Sequence, residues 1–163
     1  MPELLDAIAG WPVAEWLRFS RYGYATLSAI HILGFATLFG AIVAHDLAVL
    51  GLYPRKPQAT HATNMDAVQS PSPLLTVAAS GLALALTSGF LLFSVRPHGY
   101  IGNPVFVTKL IVLAVAILNV IVARLLSQRH DHPIRWARRT ALVSLVCWIT
   151  MILLGRLIAF TGD

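Results

Sequence analysis

Four long apolar stretches dominate the 163-residue sequence, and polar segments rich in proline or arginine separate them. A helix needs about 20 apolar residues to cross the roughly 30 Å of bilayer hydrocarbon. Each stretch reaches that length, and none alternates apolar and polar residues as a half-buried strand does. The pattern therefore predicts an all-α fold, an integral membrane four-helix bundle in one transmembrane domain (1–163), with spans at about 22–50, 74–95, 104–123 and 137–160.

The segment before the first span mixes apolar and charged side chains and contains Trp11 and Trp16. Because tryptophan favours the headgroup region, we predict a short interfacial helix at 3–18. Pro12 should break or kink this helix. The acidic residues Glu3 and Asp6 stand where a signal peptide has a basic region, so we expect the first span itself to direct insertion.

Composition and charge agree with a membrane location. The chain is 57% hydrophobic and 12% charged, and apolar residues in such excess must face lipid. Most of the net charge of +5 lies in two segments, a loop at 51–73 and a basic loop at 124–136. Basic loops stay cytoplasmic, so we expect a multi-pass membrane protein with a short outer loop at 96–103 and both termini on the outer side. The charge then needs no nucleic acid partner, and the lipid bilayer is the expected partner.

Ionisable residues inside the spans are the candidates for function, because burying a charge in hydrocarbon costs about 2.5 kcal/mol or more. Three of them fall in the outer half of the bundle and form an outer group: His31, Lys109 and Arg156. The two cations can reach inward or can extend outward to the headgroups. One imidazole with two cations suits a carboxylate or a haem propionate, with His31 as axial ligand to the iron. His98 in the outer loop is a further candidate above this group.

A second, inner group consists of His45, Asp46 and Asn119. His45 follows His31 by 14 residues and shares its helix face, as in a two-haem cytochrome. The other spans contain no histidine, so one haem is favoured over two, with Met151 as an alternative soft ligand. The competing interpretation makes His31 a hydrogen-bonded structural residue.

Other features point to packing rather than chemistry. Gly81, Ala85 and Gly89 recur at four-residue intervals in the second span and predict a close helix crossing. The single cysteine, Cys147, excludes an intramolecular disulfide and is expected to be a small buried or lipid-facing residue. The segment 130–132 (His-Asp-His) is a weak metal motif that a solvated turn explains better. No catalytic motif is visible, so the sequence assigns no enzyme class.

Four motifs together resemble a group of uncharacterised bacterial four-helix inner-membrane proteins. They are the stretches Ala29-Ile30-His31-Ile32-Leu33-Gly34, Asp46-Leu47-Ala48-Val49-Leu50-Gly51, Asn103-Pro104-Val105-Phe106-Val107-Thr108-Lys109-Leu110 and Gly155-Arg156-Leu157-Ile158-Ala159-Phe160. The resemblance implies a bacterial inner (cytoplasmic) membrane as the location, so that the outer side with both termini would be the periplasm. It also implies that His31, Asp46, Lys109 and Arg156 are recurrent polar residues, and Ala48 departs from the arginine usual there. In plan, the chain is also distantly similar to small cytochrome b proteins and to membrane protoporphyrinogen oxidase, which is an analogy of architecture.

The leading hypothesis from the sequence is a small membrane redox protein that binds one haem b or a similar anionic cofactor. His31 would ligate the iron, and Lys109 and Arg156 would hold acidic groups. The alternative is a non-catalytic membrane subunit or assembly partner of a larger complex, or a homo-oligomer, whose polar residues lock helices together. A carrier for a small anion is a third interpretation, which the lack of an internal repeat disfavours.

Overall fold

In the computed structural model of the chain, residues 2–52, 73–127 and 134–161 are described, and this part is helical without strands. Four of its helices are long and apolar enough to cross a membrane, which confirms the all-α, four-span fold. In chain order the helices are α1 (Pro2–Ala9), α2 (Pro12–Phe19), α3 (Arg21–Leu50), α4 (Pro73–Val95), α5 (Pro97–Gly102), α6 (Pro104–Ser127) and α7 (Ile134–Thr161).

Local sequence sets the ends of α3. The Ser20 hydroxyl accepts a hydrogen bond from the backbone N–H of Gly23 at 3.1 Å, which caps the first turn. Gly51 ends the helix with φ of 81°, a left-handed conformation that glycine adopts without strain. These two signals explain why the first span begins and ends close to the predicted limits.

The ends of α6 and α7 differ more from the prediction. α6 continues to Ser127 rather than stopping at 123, and α7 begins at Ile134 rather than at 137. Hydropathy marks the part of a helix that fits in hydrocarbon, whereas the helix itself can extend into the headgroup region. Most of the predicted loop at 51–73, and the segment 128–133 of the basic loop, lie outside the described residues.

Two helices stand where one interfacial helix was predicted, and a third stands in the predicted outer loop. The chain breaks between α1 and α2, and Pro12 occupies the first turn of α2, as the sequence indicated. The segment 96–103, predicted as a short outer loop, contains the short helix α5. Pro97 opens this helix, where its missing N–H costs little.

The four spanning helices form a bundle with three closed edges and one open edge. α3 packs against both α4 and α7, and α6 packs against α7. Within the described residues, α4 and α6 make no close backbone contact, so we call the boundary between them the open edge. α1, α2 and α5 gather at one end of the bundle, here called the α5 end, and the opposite end is the loop end.

The tightest helix crossing joins α3 to α4. A Cβ atom built on Gly81 would lie 2.5 Å from the backbone nitrogen of Leu38, and one on Gly34 would lie 2.9 Å from that of Ala85. The small-residue face predicted in the second span is therefore confirmed as a close crossing. Beneath it lies the hydrophobic core, which includes Trp148 at 1% exposure, Met151 and Cys147, so the cysteine is buried as expected.

Candidate functional site

His31 points from α3 onto the backbone of α4. Its Nδ1 lies 2.9 Å from the carbonyl oxygen of Ala85 and 3.1 Å from the hydroxyl oxygen of Ser88. The Ser88 hydroxyl donates to the carbonyl of Leu84 at 2.6 Å, so its oxygen is left to accept. A carbonyl can only accept, so Nδ1 carries the hydrogen and the lone pair of the neutral ring lies on Nε2. The surroundings thus select the tautomer in which Nε2 can bind a metal or accept a proton.

Gly89 gives the imidazole its place against α4. A Cβ atom at this position would lie 2.9 Å from Cε1 of His31 and 3.3 Å from Nδ1. No side chain larger than hydrogen fits beside the ring unless the ring moves. The small residues of α4 were predicted to serve helix packing alone, and the structure adds that they seat His31.

Lys109 reaches toward the same level of the bundle from α6. Its Nζ lies 3.8 Å from the position a Cβ atom on Gly155 of α7 would occupy. His31 lies beside Gly89, one turn before Phe93 on α4, and Lys109 lies one turn after Phe106 on α6; because Phe93 stacks on Phe106, His31 and Lys109 lie at about the same level of the bundle. Lys109 is half-buried, and neither ion pair in the described part of the chain includes it. The structure therefore brings together a free imidazole nitrogen and a cation without a described acidic partner.

Arg156, the third residue of the outer group, lies outside this pair. It is exposed, and its guanidinium carbon lies 4.9 Å from the ring centroid of Phe160, one turn further along α7. This is the outward arrangement that the sequence left open against an inward one. A role for Arg156 in holding an acidic ligand group stays a prediction.

His98 ties α5 to α1. Its Nε2 lies 2.8 Å from an Oδ1 atom of Asp6, and both side chains are exposed. This pairing gives His98 a partner other than the outer group. The contact with Asp6 does not test whether His98 helps to bind a cofactor, so that role stays a prediction.

An aromatic cluster covers the α5 end of the bundle. Phe93 of α4 stacks on Phe106 of α6 with 5.7 Å between ring centroids, and Tyr100 of α5 lies 5.1 Å from Phe106. Burial first, and then a hydrogen bond with the Tyr24 hydroxyl, raise the pKa of Tyr100 to about 12. This aromatic cluster was not predicted from the sequence, although aromatic residues that flank the spans are a usual sign of such a layer.

The inner group divides into two separate arrangements. The Nδ1 atom of His45 lies 3.2 Å from Oδ1 of Asp46, which is only 5% exposed and whose Oδ2 has no partner among the described residues. Asn119 instead donates to the carbonyl oxygen of Thr140 at 3.0 Å and joins α6 to α7. The described residues thus give Asn119 a structural contact rather than a place beside His45.

Met151 and the His-Asp-His segment at 130–132 are the remaining sequence candidates for metal binding. Among the described residues, no group of three or more His, Cys, Asp or Glu side chains could hold a metal ion. Met151 belongs to the buried core cluster beside Trp148. The His-Asp-His segment at 130–132 lies outside the described residues.

Comparisons with known proteins supply no function for this chain, so its function has to be argued from the geometry of the site. This chain matches no protein-family model, no curated protein and no solved structure. The resemblance based on the four sequence motifs therefore stays a prediction. What the site can do must follow from His31, Lys109 and the helices that hold them.

Proposed function

We propose that this four-span integral membrane protein binds one haem b through Nε2 of His31. The observation that carries the proposal is the hydrogen bond from Nδ1 of His31 to the carbonyl of Ala85 at 2.9 Å. Metal-ligating histidines usually donate their other ring N–H to a carbonyl or carboxylate, which fixes the tautomer and the ring orientation. His31 has that arrangement.

Lys109 supplies the second requirement of a haem site, a positive charge for a propionate. It lies at the level of His31 in the bundle, and the described residues offer it no carboxylate. An unpaired ammonium in an apolar bundle is costly, so an anionic ligand group would relieve that cost. A bound haem would supply one-electron redox chemistry, which its axial ligand and surroundings tune. The proposal needs only His31 and Lys109 from the outer group.

Absorption spectroscopy tests the proposal directly. We expect the detergent-purified protein to give a Soret band on titration with haemin, in a scan between about 350 and 600 nm. His31→Ala should lose the band, whereas His98→Ala and His45→Ala, which remove histidines with other partners, should keep it. A wild-type protein without the band, or a His31→Ala variant with an unchanged band, would overturn the proposal.

A helix-locking role for His31 is the second candidate, and one observation favours it. The Nδ1–H bond to Ala85 joins α3 to α4, which is what a structural histidine in a membrane bundle does. This role predicts that His31→Ala lowers the melting temperature of the haem-free protein and that the wild type shows no haem spectrum. It also predicts that the protein co-purifies with a larger membrane complex.

We further infer that the loop end faces the cytoplasm of a bacterial inner membrane. At that end α6 carries Arg124, and the first turns of α7 carry Arg135, Arg138 and Arg139. Basic residues next to spans favour the cytoplasmic side. A membrane-impermeant maleimide should label Gly99→Cys in intact cells and should leave Arg138→Cys unlabelled, because Gly99 lies on α5 in open space. The reverse pattern would contradict the orientation.

A further inference from the structure

His31 and Lys109 meet across the interior of the bundle rather than along one of its faces. They belong to α3 and α6, which make no close backbone contact within the described residues. His31 lies against α4, and Nζ of Lys109 lies 3.8 Å from the position of a Cβ atom on Gly155 of α7, so the two side chains approach the interior from different helices. A ligand that touches both residues must therefore reach the space between the four helices.

The α5 end offers such a ligand little room to pass from water. The Phe93–Phe106 stack spans α4 and α6 there, and Tyr100 packs against both rings. Arg18 of α2 adds hydrogen bonds to the carbonyl oxygen of Val95 at the end of α4, at 3.1 and 3.3 Å. Helix α5 is also tied to α1 through His98 and Asp6, outside this cluster.

The open edge is the remaining side of the site. The α3–α4, α3–α7 and α6–α7 edges are closed by direct helix packing, and the tightest of them leaves no space for a Cβ atom on Gly81. Between α4 and α6, by contrast, the described residues show no close backbone approach, and the Phe93–Phe106 stack joins the two helices at the α5 end. Below that stack Leu86 of α4 and Leu110 of α6 are exposed, so in a bilayer they would lie next to hydrocarbon.

We propose that the site takes an amphiphile directly from the lipid phase through the open edge, with an anionic head on Lys109 and an apolar body between α4 and α6. The charge of Lys109 selects the anionic head, because no described acidic side chain neutralises it. The apolar flanks of the open edge select a ligand that partitions into lipid. This inference rests on the proposed function only for the iron bond of His31, since haem is one member of this class.

Binding of a fluorescent fatty acid tests the ligand class. In nanodiscs of phosphatidylcholine, which has no net charge, we expect cis-parinaric acid to bind the haem-free protein and Lys109→Met to weaken binding by about tenfold or more. Arg139→Met is the matched control, since Arg139 is exposed on Trp136 near the loop end, and it should bind as the wild type does. Oleate should displace the probe, whereas butyrate at equal concentration should not. Equal binding by both methionine variants, or displacement by butyrate, would overturn the proposal.

Closing the open edge tests the route. Leu86 lies on the same face of α4 as Phe93, and Leu110 lies one turn after Phe106 on α6, and both leucines are exposed. In a Cys147→Ala background, we would introduce cysteines at Leu86 and Leu110 and join them with a short bismaleimide. Joining before the probe is added should slow its uptake by about tenfold. Joining after uptake should leave the bound probe in place.

A cross-link on a closed edge is the control for this experiment. Cysteines at Leu33 and Leu84, exposed on either side of the α3–α4 edge, allow the same chemistry. This pair should leave uptake unchanged. Equal slowing by both cross-links, or by neither, would overturn the route through the open edge.

The two proposals fail separately. Haemin that gives no Soret band, together with parinaric acid that binds through Lys109, would refute haem ligation and support the lipid-phase ligand. Haemin that binds through His31 at the same rate with the open edge cross-linked would support haem ligation and refute the route.

Discussion

Adding one methyl group beside His31 should disable the site while leaving the bundle intact. In Gly89→Ala the new Cβ atom would lie 2.9 Å from Cε1 of His31. Carbon atoms need about 3.5 Å, so the ring must retreat from α4 by about 0.6 Å. The same retreat lengthens the 2.9 Å bond from Nδ1 to Ala85 to about 3.5 Å, where a hydrogen bond is lost.

The expected size of the effect follows from the lost bond. Removing the partner that orients a metal-ligating histidine usually lowers metal affinity by about 10- to 100-fold. We therefore expect Gly89→Ala to weaken haemin binding by that factor in an absorption titration. The folded protein should persist, because alanine favours a helix over glycine by about 1 kcal/mol.

Gly155→Ala is the matched control for this variant. Both changes add one methyl group in a spanning helix at the level of the site. At position 155, however, the new Cβ atom would lie 3.8 Å from Nζ of Lys109, an ordinary contact. Gly155→Ala should thus bind haemin as the wild type does. If Gly89→Ala and Gly155→Ala bind equally well, the seating of His31 against α4 is not what prepares it for a ligand.

Three further predictions concern the bundle and its cover. Gly81→Ala should lower the free energy of unfolding in detergent by about 1–3 kcal/mol, because its Cβ atom would lie 2.5 Å from a backbone nitrogen of α3. Gly40→Ala, whose Cβ atom would meet nothing within 4 Å, should not lower it, and equal melting temperatures of the two variants would contradict this prediction. Asn119→Leu should lower the free energy of unfolding by about 0.6 kcal/mol, because it removes the hydrogen bond to the carbonyl of Thr140. An unchanged free energy of unfolding would show that this hydrogen bond does not stabilise the bundle. The pKa of Tyr100 is raised from 10.0 to about 12 in the folded protein, so its contribution to stability is complete below pH 10.0 and should decline as the pH rises toward 12. A near-ultraviolet titration of the phenolate should give a lower pKa for Tyr100 in Tyr24→Phe, and an unchanged pKa would contradict the hydrogen bond.

The spans could be predicted from the sequence because hydropathy reports directly on which residues lie in lipid. Which face of each helix turns inward could not, because helices that are apolar on every side carry no periodic signal. α3 is such a helix, so nothing in the sequence indicated that His31 would lie on Ala85 and Gly89 rather than face α7. The open edge was hidden for the same reason, since it depends on which pairs of helices pack.

The positions of the two cations show a second limit of prediction from the sequence. Lys109 and Arg156 were predicted at similar depth, each free to turn inward or outward. Arg156 has Phe160 one turn away on its own helix, and a guanidinium stacks well on an aromatic face. Lys109 instead ends 3.8 Å from the position of a Cβ atom on Gly155 of α7. Phe160 is four residues after Arg156 and is visible in the sequence, whereas Gly155 is a neighbour of Lys109 on another helix, which a single sequence does not reveal.

Ligation of haem iron by His31 is the central claim, and rescue by free imidazole tests it most directly. The His31→Gly variant removes the side chain and leaves the α4 face that seats it. We predict that this variant, mixed with haemin, lacks the wild-type Soret band and that added imidazole restores it. A His31→Gly spectrum that matches the wild type without imidazole would contradict the claim.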